Sequence, residues 1–509
     1  MNTSSKEINS LRNALVGGIS KIVTLALSFV AKTMFIRYLG AAYLGINGLF
    51  TNLFVLMSSV DFGVGVAMCY SLYDPLAQND QDRISAIYDF YRRLYRIIFV
   101  VDLIIGVSLF PFLDVLFNEQ SQMANIEIYY ILFLTNTILY NLLNYKSYII
   151  NADQKRYLTN FYTMIFEGAS FVAQIVILIL THNYILYLVI TIVKTLGYSL
   201  YMAYLARKMY PCIRKCTGVL SVAEKKYLYK NSADMFLYKL SEMMISGTDN
   251  IIISLLVGTI SVGYYSNYEF IIQGVTSITA LGFASLAASV GHMLVENNKE
   301  KNIKIFYMLQ DLNCWLGGFT TVSILILVQD FVKIWAGREY VLSWPVVISI
   351  VVNYYFCVQR DLVKMFRESA GLFHRMMYMG IINALLNVVL SIVFGIHMGM
   401  SGIFLATVVA GLLSSFWYEP YLLHKEYLHC SIKGYLAKQI KGIVLFFICF
   451  GITFVIAGFV RNDDVLSFIV KGIICLCIPN VFYFLVLRKT EAVGALLAAL
   501  KAVVRNEKN

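Results

Sequence analysis

Charged residues are scarce in this chain of 509 residues. Only 14% of the residues are Asp, Glu, Lys or Arg, whereas 59% are hydrophobic. Soluble domains carry about 25% charged residues, so the composition excludes an ordinary soluble protein. The chain has only six prolines and no Ser/Pro-rich run, which excludes long disordered linkers. Apolar stretches of about 20 residues recur along the whole chain instead, and this pattern is typical of an integral membrane protein.

The motifs of common catalytic and metal-binding classes are missing as well. No G-x-x-x-x-G-K-[ST] loop is present, which argues against a built-in ATPase. The six histidines are scattered, and the nearest cluster, His424, His429 and Cys430, is weak support for a metal site. The pair Cys212 and Cys216 has no nearby histidine pair, so we predict neither a zinc site nor a disulfide framework. We expect no catalytic residue, no metal and no cofactor.

The apolar runs predict an all-α polytopic membrane protein with about 14 transmembrane helices. Helices suit a bilayer because each satisfies its backbone groups within the segment, and the runs lack the alternation of membrane β-strands. The first run is too long for a signal-peptide core, so we interpret it as a retained span. The predicted spans lie near 13–36, 43–70, 94–117, 126–149, 161–182, 184–206, 231–257, 262–290, 312–335, 342–362, 376–397, 400–423, 440–460 and 465–487.

A shift of 218 residues aligns the second half of the chain with the first without a gap. It places 231–268 on 13–50, so that Lys239 falls on Lys21, Gly258 on Gly40 and Gly263 on Gly45. Six spans precede the long basic loop, so both halves enter the membrane from the same side, as in a parallel transporter repeat. We therefore divide the chain into an N-lobe (1–206, spans 1–6), a basic cytoplasmic linker (207–230), a C-lobe (231–430, spans 7–12) and a C-terminal part (431–509) with two extra spans and an amphipathic tail.

The basic residues are distributed asymmetrically between the loops. If the N-terminus is cytoplasmic, most loop lysines and arginines are on the inner side. By the positive-inside rule, both termini are then predicted to be cytoplasmic. The net charge of +11 is thereby explained as a topology signal, and we expect no nucleic-acid partner. The outer loops hold only Arg37, Lys333, Arg338 and Arg461.

Polar residues form stripes on several predicted membrane helices. Charge inside a span is costly and usually faces a cavity or a partner, so we interpret the stripes as the lining of a water-filled cavity. The alternatives are helix packing through polar residues and lysines that extend to the interface. The candidate substrate-binding residues are Asn13, Lys21 and Lys32 in span one, Glu167 and Gln174 in span five, Asn231, Lys239 and Glu242 in span seven, and Glu269 and Gln273 in span eight.

Two aspartates are candidate ion-coupling residues. Asp61 lies deep in span two beside Gly63 and Gly65, and Asp249 lies at the edge of the span-seven stripe. For Asp61 a satisfied hydrogen bond between helices is the alternative. The cavity chemistry as a whole favours an anionic sugar derivative, because lysines attract phosphate and amides, hydroxyls and aromatic faces suit sugars.

Four stretches carry a family resemblance: TDNIII at 248–253, VGYYSNY at 262–268, RYLGAAYLGINGLF at 37–50 and VDFGVGVAM at 60–68. With them, residues from about 5 to 487 resemble the polysaccharide-export branch of the multidrug/oligosaccharidyl-lipid/polysaccharide (MOP) exporter superfamily. The resemblance implies two six-helix lobes around a central cavity that opens alternately to each side of a bacterial cytoplasmic membrane. Basic residues on the first helix of each lobe are typical of lipid-linked substrate flippases, and Lys21 and Lys239 fit that pattern.

The cargo implied by the resemblance is an undecaprenyl-pyrophosphate-linked oligosaccharide repeat unit for capsule, O-antigen or another surface polysaccharide. Coupling to H⁺ or Na⁺ and partnership with membrane lipids, a polysaccharide polymerase and glycosyltransferases are implied with it. The alternatives are a flippase for a peptidoglycan or teichoic-type lipid precursor and a cation-coupled multidrug exporter. A membrane glycosyltransferase or ligase would need an extended outer loop, and every outer loop here is short. A non-transporting scaffold would leave the internal lysines unexplained.

Overall fold

The computed structural model describes residues 3–494 apart from 114–124, 215–217, 296–298, 371, 373, 461–463 and 492. Within its helices, the side chains of 3–11, 14, 59–62, 238, 242, 245, 246, 281–295, 374, 375 and 377 also lie outside the described part. The described residues form 15 α-helices and no β-strand. The helices are α1 (Thr3–Gln78), α2 (Gln81–Leu109), α3 (Ile126–Asn144), α4 (Tyr148–Ala152), α5 (Arg156–Thr181), α6 (Tyr184–Met209), α7 (Val222–Leu256), α8 (Thr259–Val295), α9 (Lys299–Trp335), α10 (Trp344–Ser369), α11 (His374–Met398), α12 (Met400–Leu413), α13 (Ser415–Leu423), α14 (Lys433–Gly458) and α15 (Val465–Leu487).

The predicted class of an all-α polytopic membrane protein is confirmed. Within the described residues, 11 helical segments are long and apolar enough to cross a membrane. One of them, Leu15–Ser58 in α1, covers most of the first predicted span and the start of the second, and α1 as a whole contains both. Predicted spans seven and eight correspond to α7 and α8. Helix α7 is less apolar than its neighbours because Asp234, Lys239, Glu242 and Asp249 lie within it.

The break between spans one and two is a glycine turn that recurs in the second half. Helix α1 is interrupted at Gly40, whose φ is 80°. Helices α7 and α8 meet at Gly258, whose φ is 118°. Only glycine adopts such angles at little steric cost. The two glycines are 218 residues apart, so the predicted alignment of the two halves matches one turn with the other.

A second pair of related glycines packs symmetrically. A Cβ atom added at Gly45 would lie 2.2 Å from the carbonyl oxygen of Thr259, and one added at Gly263 would lie 2.4 Å from that of Ala41. Ala41 and Thr259 are also 218 residues apart. Gly45 of the first repeat thus faces the Thr259 carbonyl of the second, and the equivalent Gly263 faces the equivalent Ala41 carbonyl of the first. Such reciprocal contacts are expected of two copies packed about an axis.

Helix α7 begins at Val222, earlier than the predicted span that starts near residue 231. Ser221 starts the helix with a capping box: its hydroxyl accepts from the Glu224 N–H at 3.2 Å, and its N–H donates to the Glu224 carboxylate at 2.9 Å. The hydrogen bonds from Ser221 also hold the pKa of Glu224 below its usual range. The last part of the segment predicted as a linker is therefore helical.

Contacts divide the chain into two compact units, residues 1–266 and 267–509. The first unit contains α1 to α7 and the start of α8, and the second contains the rest of α8 with α9 to α15. Aromatic clusters fill both interiors: Tyr91, Tyr95 and Tyr145 are buried in the first unit, and Phe306 and Phe366 in the second. Helix α7 packs within the first unit, and the lobe boundaries given above stay a prediction.

Candidate substrate sites

A polar cavity lies inside the first unit. It consists of two neighbouring spaces. The larger, of about 380 Å³, is lined by the second part of α1 and by α3, α5 and α6. The smaller, of about 260 Å³, is lined by α3, α4, α5 and α6 and by the turn between α3 and α4. Tyr140, Glu167 and Lys194 line both spaces. The cavity therefore has one acidic and one basic side chain at the place where its two parts meet.

Helix α5 directs three polar residues into this cavity. Glu167, Ser170 and Gln174 recur at helical spacing on one face, and all three line the larger space. The Gln174 amide donates to the Thr191 hydroxyl of α6 at 3.0 Å. Its carbonyl oxygen is buried and accepts no hydrogen bond from any described residue. The acceptor capacity of that oxygen is therefore unused within the described part of the chain.

Lys194 is a cavity residue that the sequence reasoning missed. It lies near the middle of α6 and is half-buried, and it forms no ion pair within the described part of the chain. The next residue, Thr195, donates to Asn136 of α3 at 2.7 Å and thereby fixes this level of α6 against α3. A lysine in the middle of an apolar span is itself a signal for a cavity. Lys194 was missed because span six has no continuous polar stripe on the face that carries it.

A large apolar groove lies inside the second unit. Its volume is about 910 Å³, and it is bounded by α9, α10, α14 and α15. Aromatic side chains of α14 form much of its wall: Phe446, Phe447, Phe450 and Phe454. The groove thus uses the two helices that lie outside the predicted repeat, and it can hold a hydrocarbon chain.

One ion pair contributes to the lining of this groove. Lys471 of α15 donates to Asp330 of α9 at 2.7 Å, and both side chains are mostly buried. The pair ties an extra helix to the repeat. Because its charges neutralise each other, it leaves the groove apolar on balance.

The candidate residues of span one have different surroundings. Lys21 is exposed on α1 and bonds to no described residue. Lys32 is half-buried, and its ammonium group donates to the hydroxyl of Ser266 at 3.2 Å. Asn13 donates to the Gln154 carbonyl at 2.9 Å and accepts from the N–H of Tyr157 at 2.6 Å. Asn13 therefore also holds the start of α5 against α1.

The remaining candidates lie on α7 and α8. Asn231 and Lys239 are half-buried, and Asp249 is buried. In the second unit, the Gln273 amide donates to Glu269 at 3.2 Å. The side chains of Glu242 and Asp61 lie outside the described residues, and so their predicted roles stay predictions.

The structure brings Glu167 and Gln174 into one cavity, but Lys21 and Lys239 line neither that cavity nor the groove. A meeting of these two lysines at a substrate stays a prediction. For metals, no group of three His, Cys, Asp or Glu side chains in the described part could hold an ion. His424 is buried and hydrogen-bonded to the Pro420 carbonyl at 2.7 Å.

No family model matches the sequence, and no curated protein matches it either. Solved structures do match. The lipid II flippase MurJ in an inward closed conformation has a TM-score of 0.64 at 15% identity, over 93% of this chain and 99% of MurJ. An inward-facing multidrug resistance MATE transporter of the MOP superfamily has a TM-score of 0.61 at 15% identity, over 81% of this chain and 98% of that chain.

A MATE transporter from Vibrio cholerae, solved as a point mutant, has a TM-score of 0.57 at 12% identity, over 84% of this chain and 99% of its own. All three matches cover nearly the full length of the known structure. The MurJ match also extends over more of this chain than the two MATE matches do. The chain therefore has the fold that the MurJ flippase and these MATE transporters share.

Proposed function

We propose that the protein is a flippase that moves undecaprenyl-pyrophosphate-linked oligosaccharide repeat units from the inner to the outer leaflet of a bacterial cytoplasmic membrane, for surface-polysaccharide biosynthesis. The apolar groove of α9, α10, α14 and α15 is the observation that carries this proposal. A volume of about 910 Å³ with aromatic walls suits a long hydrocarbon chain. A water-soluble cargo would have no use for it.

The chemistry of such a cargo requires two different paths through one protein. An unpaired charged group in hydrocarbon costs tens of kcal/mol in the limit of low dielectric, on the order of the Born energy. The pyrophosphate and sugar therefore need a polar cavity, while the polyprenyl chain stays in an apolar environment. The first unit contains such a polar cavity, and the second unit contains such an apolar groove.

Residue roles in the polar path follow from side-chain chemistry. Lys194 attracts the pyrophosphate as a compact positive charge. Gln174 and Glu167 accept hydrogen bonds from sugar hydroxyls. Lys21 and Lys239 are proposed to meet the pyrophosphate from the two repeats as the cavity alternates between its two openings.

A peptidoglycan lipid precursor is the second candidate cargo, and the fold favours it for a specific reason. The match to the solved lipid II flippase covers 93% of this chain, whereas the match to the inward-facing MATE transporter covers 81%. Both cargo types join a polyprenyl pyrophosphate to a glycan, so the groove serves either one. Multidrug export is less well supported, because it gives no role to the groove.

Other features of the proposal come from the family resemblance. Transport by alternating access would be driven by H⁺ or Na⁺, with a polysaccharide polymerase and glycosyltransferases as functional partners. The protein would carry out no covalent chemistry itself.

The groove can be tested by filling it. Ile348 of α10 lines the groove and is exposed to it, so Ile348→Trp should occupy space needed by the lipid chain and reduce glycan export. Ile452 of α14 is similarly exposed but does not line the groove, so Ile452→Trp is the matched control. Equal export by both variants at equal protein levels would remove the groove from the mechanism.

Complementation separates the two cargo types. The gene is expressed in one strain that lacks its O-antigen repeat-unit flippase and in another that is depleted of its lipid II flippase. We expect surface glycan to return in the first strain. Rescue of the second strain alone would replace the proposed cargo with a peptidoglycan precursor.

A further inference from the structure

A buried acid–amide pair joins α2 to α3. Asp102 lies well inside the membrane-spanning part of α2, and its side chain is fully buried. Asn141 of α3 is fully buried as well, and its amide N–H₂ donates to Asp102 Oδ2 at 2.7 Å. No Lys, Arg or His in the described part of the chain forms an ion pair with Asp102.

The atoms left over on both side chains are of the same kind. Asp102 Oδ1 and Asn141 Oδ1 are buried, and neither has a hydrogen-bond partner among the described residues. Each is an acceptor if Asp102 is ionised. A buried acceptor without a donor costs about 1–3 kcal/mol, and more if it is charged. An ionised Asp102 would therefore leave two unsatisfied oxygens and an uncompensated charge in the same place.

A single proton removes all three costs. A proton on Oδ1 of Asp102 turns that oxygen into a donor. Its acceptor is the carbonyl oxygen of Asn141, whose N–H₂ group already donates to Oδ2 of Asp102. Acid and amide then pair through two complementary hydrogen bonds, and no charge remains. The geometry points to Asp102 as a proton-binding site, in which the neutral carboxyl pairs with Asn141 and loss of the proton breaks the pair.

The site fits a proton better than a metal cation. Hard cations such as Ca²⁺ and Mg²⁺ take about six or more oxygen ligands. The pair offers two unsatisfied oxygens, and no metal-binding group of three acidic, His or Cys side chains is found in the described residues.

The titratable groups around the pair are mainly tyrosines. Tyr95 precedes Asp102 by two turns on α2 and stacks on Tyr145, which directly follows α3. Tyr130 of α3 donates to the Gly106 carbonyl one turn after Asp102. At the start of α2, Cys212 of the Pro211–Arg214 turn packs on the cluster that includes Ile84.

Helix α1 contains another acid, Asp61, whose infrared signal must be distinguished from that of Asp102. Ser71 of α1 contacts Tyr91 of α2 at 3.3 Å. Asp61 lies ten residues before Ser71, and Asp102 lies eleven residues after Tyr91, so the two are at similar levels of these antiparallel helices. The side chain of Asp61 is outside the described residues. The experiment therefore includes a variant of Asp61.

This inference goes beyond the proposed function and does not depend on which cargo is moved. A carboxyl that is neutral while buried, and that ionises when water reaches it, can couple proton movement to a conformational change. The first measurement is nevertheless made on the purified protein without any substrate, so its failure is distinct from a failure of the proposed cargo.

Infrared spectroscopy of the full chain in lipid nanodiscs tests the site. The wild-type protein at mildly acidic pH should show a carbonyl band of a protonated carboxyl group that is missing in Asp102→Asn. The reciprocal exchange, Asp102→Asn with Asn141→Asp, moves the acid to the other helix and should restore the band. Asp311→Asn is the control, because Asp311 is paired with Lys438 at 2.7 Å and should contribute no such band.

Three results would overturn the inference. The first is identical spectra for wild type and Asp102→Asn. The second is a band lost in Asp61→Asn but kept in Asp102→Asn. The third is a band that Na⁺ removes at constant pH, which would indicate a cation site.

Thermal unfolding gives an independent readout. Above about pH 3.9, the ordinary pKa of an aspartate, the unfolded chain has lost this proton while the folded state still binds it at Asp102, so stability falls as the pH rises until the folded carboxyl ionises. Between acidic and neutral pH, the melting temperature of the wild type should therefore fall more than that of Asp102→Asn, whose amide pairs with Asn141 at any pH. Equal pH dependence of the two proteins would contradict the site.

Discussion

Lysines inside membrane helices are the residues on which the account depends most. Lys194 lines the polar cavity of the first unit and forms no ion pair within the described residues. Lys32, by contrast, is bonded to Ser266. A lysine that lines a cavity is available to a ligand, whereas one bonded to a neighbouring helix also contributes to packing. The two kinds of lysine should respond differently to substitution.

Lys194→Ala should impair glycan export. Loss of a charge-assisted hydrogen bond to a phosphate costs about 1–3 kcal/mol, which corresponds to roughly 5-fold to 150-fold weaker binding. Lys208→Ala, at the exposed end of the same helix, is the control. Export and membrane protein levels are measured together. Unchanged export by Lys194→Ala would remove this residue from the substrate path.

Lys21→Ala and Lys239→Ala should each reduce export, and the double variant should abolish it. The reason is that equivalent helices of the two repeats carry these charges, and each is proposed to contact the pyrophosphate. Lys→Arg at either position should be better tolerated, because it keeps the charge. Wild-type export by a normally expressed double-alanine variant would favour the packing interpretation for both.

The candidate site was only partly predictable at the level of residues. Glu167 and Gln174 could be placed on one cavity-facing stripe because a helix repeats every 3.6 residues. Lys194 lacked such a stripe, and the Asp102–Asn141 pair joins two helices whose mutual register has no local sequence signal. Contacts between helices depend on packing, which periodicity within one helix does not encode.

At the level of elements, glycines determine where the helices turn and how closely they approach. Gly40 and Gly258 make equivalent turns, and Gly45 and Gly263 make equivalent close contacts. The repeat register could be predicted from the sequence because these glycines keep their spacing. Helix α7 starts at Val222, before the membrane span predicted from residue 231, and the Ser221 and Glu224 capping box is the sequence signal for that start.

Gly45→Ala should lower the melting temperature of the purified protein. The new Cβ would lie 2.2 Å from a backbone carbonyl oxygen, so the helices must separate. Overpacking of this kind costs typically about 1–3 kcal/mol. Gly18→Ala is the matched control, because its Cβ would meet no atom within 4 Å. Equal melting temperatures for the two variants would show that the close approach is absent.

A buried ion cluster ties α10 to α13. Glu419 accepts from Arg360 and from Arg367, each at 2.6 Å, and both Glu419 and Arg367 are fully buried. Glu419→Gln would leave arginine charge uncompensated, and breaking a buried pair in this way costs about 3–5 kcal/mol.

The expected result is a large loss of thermal stability for Glu419→Gln. Glu368→Gln removes a partly exposed carboxylate that lies 3.5 Å from the same Arg367, and it should change the melting temperature little. A mild effect of Glu419→Gln, equal to that of Glu368→Gln, would mean that the cluster adds no net stability.

At the scale of the whole molecule, the sequence was sufficient for the class of fold but not for the cargo. Apolar runs follow directly from the bilayer as a solvent, so a polytopic all-α fold could be predicted, whereas the orientation derived from the basic loops stays a prediction. The same fold is found in a lipid II flippase and in multidrug exporters. Cargo depends on the few side chains that line cavities, and fold alone does not determine them.

Orientation in the membrane is a prediction at this scale. Reporter fusions after His397 should lie outside the cytoplasm, and fusions after Lys433 should lie inside, because the basic residues concentrate on one side. The two sites are separated by the predicted span 400–423. A reporter after His397 that is active in the cytoplasm would reverse the assigned orientation.

Movement of a lipid-linked glycan between leaflets tests the central claim most directly. The purified protein is reconstituted in vesicles that contain a fluorescent undecaprenyl-pyrophosphate oligosaccharide, and a membrane-impermeant quencher reports how much of it is in the outer leaflet. The account predicts that the wild-type protein accelerates exchange between leaflets, that Ile348→Trp and Lys194→Ala slow it, and that Ile452→Trp does not. Exchange no faster than in protein-free vesicles, with a correctly folded protein under an imposed H⁺ or Na⁺ gradient, would contradict the account.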